Sequence, residues 1–132
     1  MEKFGIKIKG IVKYKDKFLV VKKWYDDRIT DPFQWEFIDA ELEYGINPES
    51  CVLQIISKET ELVGEIKDIS YIWSYELGDN QYIGIAFLCE VNNDLVILSE
   101  DLSEYAWVTA KELPEYITNP DIIEDLKRTG II

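Results

Sequence analysis

Two runs rich in β-branched and aromatic residues, 65–77 and 81–91, stand on either side of Gly78-Asp79-Asn80. Residues of these types fit a pleated, half-buried surface, and a short glycine-containing break between two such runs predicts a long β-hairpin. A hairpin of that length cannot bury its apolar side alone, so it needs further strands and a covering helix. The N-terminus supplies strands. Phe4, Ile6, Ile8, Val12 and Tyr14 alternate with Lys7, Lys9 and Lys13, a period of two that places the apolar side on a core and the lysines in water. Lys15-Asp16-Lys17 turns the chain into a second strand at Phe18-Leu19-Val20-Val21-Lys22. Residues 24–32 are polar and end in proline, which reads as a loop, followed by the short extended piece Gln34-Trp35-Glu36-Phe37.

The covering helix begins at Asn47-Pro48-Glu49. Asparagine caps, proline suits the first helical position, and glutamate complements the positive end of the dipole. The helix is expected to run to about Thr60, because Val52, Ile55, Ile56 and Leu62 recur largely at spacings of three and four. Asn92-Asn93-Asp94 turns into a predicted further strand at Leu95-Val96-Ile97-Leu98. Thr109 and Glu112 have the form of a capping box, and Asn119-Pro120-Asp121 opens a last helix that Gly130 ends. Strands, one central helix, strands and terminal helices make an α+β layout, and 132 residues make a single domain, 1–132.

Composition narrows the function. The chain has no histidine, which removes imidazole bases, His-ligated metals and His switches. It carries 14 basic and 26 acidic residues, for a net charge of −12. Residues 1–23 are net +6, so residues 24–132 are net −18. That balance repels the phosphate backbone and argues against duplex nucleic acid as a partner. Cys51 and Cys89 stand alone in apolar text and are expected to be packed, reduced thiols. The longest uncharged run, residues 80–89, is too short to cross a bilayer, so neither a membrane partner nor a location outside the cytoplasm is expected.

Residues 35–64 carry the most specific signal. Trp35-Glu36-Phe37, Glu43 with Gly45, Pro48-Glu49, and Glu59-Thr60 with Leu62 together resemble the Nudix hydrolase family, whose box reads G-x5-E-x7-R-E-U-x-E-E-x-G-U. Residues 104–109 and Lys111-Glu112-Leu113 resemble that family's C-terminal strand and the opening of its last helix, so the likeness spans roughly residues 5–117. It implies a Nudix-like α/β/α sandwich: a mixed sheet of about six strands, the box helix on one side and C-terminal helices on the other.

In the same register the family's chemical residues are largely replaced. Ala40 stands for the first glycine, Ile46 for the loop glutamate, Gln54 for the arginine, Ile55 and Lys58 for two helical glutamates, and Glu61 for the late glycine. The resemblance implies magnesium or manganese held by carboxylates at 55, 58 and 59. This chain offers Ile55, Lys58 and Glu59, a formal charge of zero where the family has about −3. A hard dication needs several anionic oxygens, and an ammonium at 58 would repel it by several kcal/mol at an effective dielectric of about 20.

The expectation is therefore an impaired enzyme without a metal cofactor. Glu59 is the catalytic remnant, with Lys58 and Glu59 left to pair with neighbours. Such a protein would act as a binding module for a nucleotide-like small molecule or a protein, a second copy of itself included. Exposed aromatics suited to stacking are sought at Trp24, Tyr25 and Trp35, with Lys58 as a further ligand contact. The alternative is a divergent pyrophosphohydrolase holding magnesium or manganese on a displaced set, Glu41, Glu43 and Glu59, with Asp39 nearby.

Overall fold

The computed structural model describes residues 3–24 and 34–132. In chain order the elements are β1 (Lys3–Tyr14), β2 (Lys17–Lys23), β3 (Trp35–Glu36), β4 (Ile38–Glu41), α1 (Pro48–Thr60), β5 (Gly64–Leu77), β6 (Asn80–Val91), β7 (Leu102–Thr109), α2 (Leu113–Tyr116) and α3 (Pro120–Arg128). The sequence predicts about six strands; the described residues form seven, in one mixed sheet. Strand β1 is its axis. One edge of β1 pairs in parallel with β6 from Lys3↔Asn80 to Lys13↔Glu90. Its other edge pairs antiparallel with β4 at Lys7–Gly10 and with β2 at Lys13–Tyr14. β2 pairs with β7 along its whole length, from Lys17↔Thr109 to Lys23↔Leu102, and beyond its contact with β1 it pairs briefly with β3 at Val21 and Lys22.

The predicted hairpin forms as β5 and β6, joined at Leu77↔Asn80. Gly78 takes φ 62°, a left-handed conformation that costs glycine nothing and suits the first position of a two-residue hairpin turn. Helix α1 has its predicted ends. The Asn47 side chain accepts from the Glu49 amide at 2.8 Å, and Glu61 closes the helix at φ 59°, its amide donating to the Ser57 carbonyl. The side facing β1 approaches closely because Gly10 has no side chain: a Cβ there would stand 3.0 Å from Val52 and 3.3 Å from Ile56. α1 covers one face of the sheet over Ile8, Val12, Phe87 and Cys89; α2 and α3 cover the other over Ile11, Val20, Tyr71 and Val108. That is the expected α/β/α sandwich. Both cysteines are buried and unbridged.

Two expectations fail. Residues 95–98 are not a strand. A helix leaves its last carbonyls without intrahelical partners. Here the Ile97 amide donates to Thr60 O and the Ser99 amide to Glu59 O, both at 3.0 Å, so the segment's hydrogen bonds go to the end of α1 and not to the sheet. The lysine side of β1 is not all in water either. Lys9 is only 5% exposed, because it packs among the rings of Phe37, Tyr71 and Trp73. Among the described residues no helix is long and apolar enough to cross a membrane.

Candidate functional site

The last turn of α1 delivers Lys58 and Glu59 to one end of the sandwich. Glu59 is 7% exposed, and its carboxylate accepts from the Ser99 hydroxyl at 2.5 Å. The same serine donates its amide to the Glu59 carbonyl, so the residue is held by both side chain and backbone. Lys58 is exposed and stands 3.9 Å from Asp101. Ile55 packs against the core beneath α1. On the helix positions 55, 58 and 59, Glu59 is the one carboxylate.

Glu59 opens into a cavity of about 270 Å³ whose polar lining is Lys23, Asp39, Glu59, Glu100 and Asp101, with Trp24 at its mouth. At its centre Lys23, at the end of β2, reaches Asp39 at 3.0 Å and Glu36 at 3.1 Å. Burial opposes the charge on Lys23, but the two carboxylates outweigh it and hold the ammonium above its ordinary value. This end of the molecule therefore contains a compact ion-pair network inside an otherwise acidic rim.

A second cavity of about 540 Å³, which shares Phe37 and Asp39 with the first, lies on the face of the sheet away from α1, between β1, β5 and α3. Its floor carries Lys7, Lys9 and Trp73, its side Trp35 and Tyr75, and its roof the α3 carboxylates, Asp125 among them. The Lys9 ammonium donates to the Tyr71 hydroxyl at 2.9 Å and stands 4.3 Å from the centre of the Trp73 ring. Burial pushes the Tyr71 hydroxyl up, with Asp125 adding to the effect and Arg128 partly offsetting it, so the phenol stays neutral and can accept from Lys9. The Trp73 indole lies flat where Gly84 has no side chain; a Cβ there would come within 2.4 Å of the ring.

The residues singled out in the sequence thus divide between two places. Trp24 and Glu59 meet at the smaller cavity and Trp35 lines the larger one, where its ring meets Tyr116 edge-on at 5.3 Å and the Lys22 ammonium lies 4.8 Å from its centre. Lys58 lines neither, and Tyr25 lies outside the described residues. Glu41 and Glu43 are exposed and do not join Glu59; among the described residues no three Asp, Glu, Cys or His side chains form a group that could hold a metal ion. Sequence reasoning missed Lys23, Ser99 and Asp101, which reach Glu59 or its cavity from 36 or more positions away, and Lys9, which alternation assigned to water. Only Asp39 beside the box gave a local signal.

A mixed sheet between one central helix and two C-terminal helices, with a charged cavity at the end of the central helix, defines a Nudix-type domain. The chain belongs to the Nudix family: the NUDIX domain profile matches residues 8–126. It is similar in structure to a MutT protein from Methanosarcina mazei Go1, with TM-score 0.82, 20% identity, and 98% of this chain and 94% of that one covered. It also resembles an Ap4A hydrolase from C. elegans (0.80, 16% identity, 96% and 95% covered) and a MutT NUDIX hydrolase from Burkholderia pseudomallei (0.79, 12%, 96% and 98%). At these identities the likeness concerns the fold. No curated protein matches the chain in sequence.

Proposed function

We propose that this protein is a Nudix-fold binding module in which metal-dependent hydrolysis is impaired, and that it takes a small, planar, nucleotide-like ligand. The observation that carries the reading is the state of Glu59: the one carboxylate among positions 55, 58 and 59 is buried and engaged by Ser99. The divalent ion that the family implies does not fit this donor set. Ile55 offers no oxygen, Lys58 brings a positive charge beside Asp101, and Glu59 would have to give up its serine. The larger cavity suits the ligand class, since Trp35, Trp73 and Tyr75 offer ring faces and Lys7 and Lys9 offer donors, while the α3 carboxylates accept.

Calorimetric titration with manganese is expected to give no saturable heat, and nucleoside diphosphate derivatives with magnesium or manganese no product above background. Nucleotides are expected to quench tryptophan fluorescence without added metal. Robust turnover abolished by Glu59→Gln would refute the reading. It would favour the second one, a divergent pyrophosphohydrolase with displaced carboxylates, for which the shared lining of Asp39 and Glu59 speaks.

A further inference from the structure

The face of the sheet that α1 covers extends well past the helix. α1 has 13 residues, about 20 Å at a rise of 1.5 Å per residue. At 3.3 Å per residue β1 and β6, with 12 residues each, reach about 40 Å and β5, with 14, about 46 Å. Cross-strand register shows what occupies the overhang. Ile6 is paired with Ile83, Ile8 with Ile85, Ile85 with Ile72, and Phe87 with Ile69. Ile8 and Phe87 point into the core beneath α1, and opposed residues share a face, so Phe4, Ile6, Ile69, Ile72 and Ile83 lie on that face too. They are exposed, from 39% for Ile6 to 77% for Phe4.

The alternation of β1 assigns Phe4 and Ile6 to a buried side, yet among the described residues nothing covers them. The paired positions between them, Ser74 and Gln81, are uncharged in a chain that is 30% charged, and the carboxylate on these rows, Glu76 opposite Gln81, stands at the end of the patch. We propose that a second copy of the chain packs on this face, in a twofold dimer that lays the two overhangs against each other.

The area supports a second copy. The five side chains expose about 500 Å² of apolar surface, near the upper end for a monomer. Two such patches buried against each other give about 1,000 Å² before any polar rim, which reaches the size of a specific interface. A twofold contact brings each patch against its own equivalent, so one set of aliphatic residues serves both sides. Each copy carries −12, so charge opposes the association and salt should tighten it, the reverse of what an oppositely charged protein partner would show.

Sedimentation equilibrium of the intact chain tests this. The expected result is a species of twice 15.4 kDa that tightens as salt is raised, with Ile83→Glu weakening association at least about 100-fold at unchanged circular dichroism. Ile72→Ser, which adds no charge, is the milder second variant and should weaken it in the same direction. A wild-type chain that stays monomeric at about 1 mM overturns the proposal and leaves the face to a different protein. A dimer that survives both substitutions places its interface elsewhere and overturns it equally.

Discussion

At the scale of single residues, position 59 shows how a nearly buried carboxylate is held by a partner far along the chain. Its neighbours on that side of the helix are Ile55 and Lys58, and the carboxylate takes its hydrogen bond from the Ser99 hydroxyl. Ser99→Ala leaves a nearly buried carboxylate short of a charged hydrogen bond and should destabilise the fold by about 2 kcal/mol, read as a lower urea midpoint at unchanged slope. Alkaline pH should also weaken the fold. Lys23 titrates above its ordinary 10.5 when folded, so its contribution is complete below that value and declines as pH rises past it. Burial pushes the Cys89 thiol up to about 12, against 9.0 when exposed, so the unfolded chain loses that proton first. Both slopes point downward, and urea midpoints should fall steadily from about pH 9 upward. A flat profile to pH 11 would show that neither group is held as the structure has it. Of these residues, Glu59 stood out in the sequence because a motif frames it; Ser99 did not, since a serine in a polar loop carries no sign of a partner 40 positions back.

At the scale of elements, local chemistry was most legible where it is self-contained. The ends of α1 follow from Asn47-Pro48, and the last helix from Asn119, whose side chain accepts from Asp121 N at 2.9 Å. Thr109 and Glu112 form their box through three mutual hydrogen bonds, and the two that the Glu112 carboxylate accepts, from the Thr109 amide and hydroxyl, hold that carboxyl below the usual carboxylate range. The same reasoning misjudged residues 95–98, where β propensity is high but the available partners are carbonyls of a helix end. Glu61 gives an independent check on the register of the box. In the register that the resemblance implies it stands at a glycine position, and it adopts φ 59°, the conformation for which glycine is ordinarily required. Glu61→Gly should therefore raise stability by about 1 kcal/mol, measured by urea unfolding, with the helix content of the folded state unchanged. A loss of stability would mean that the Glu61 side chain contributes more than its backbone costs.

At the scale of the whole molecule, the central strand is basic and what surrounds it is acidic. Lys9 is enclosed by the aromatics and carboxylates of β5 and α3, and Lys23 by Asp39 and Glu36, so some of the excess negative charge is neutralised internally. The remainder is self-repulsive. Raising salt from about 10 mM to about 150 mM shortens the Debye length from about 30 Å to about 8 Å and should raise the thermal midpoint, because most of the repelling charges are exposed while the central pairs are screened little. A midpoint that falls with salt would mean that attractive surface pairs outweigh net repulsion.

The amino-acid sequence by itself determined the strands of the hairpin, the start and stop of the helices and the α+β order. Those features depend on neighbours a few positions apart, where side-chain period, caps and turn residues act. Tertiary structure alone decided that Glu59 meets Ser99, that Lys23 joins Asp39 and Glu36, that Lys9 is enclosed, and that Phe4 and Ile6 lie beyond the reach of α1. Each of these depends on which strand lies beside which, and on a helix half as long as the sheet it covers. A period of two states that a face is apolar, but only the assembled layers determine what covers it.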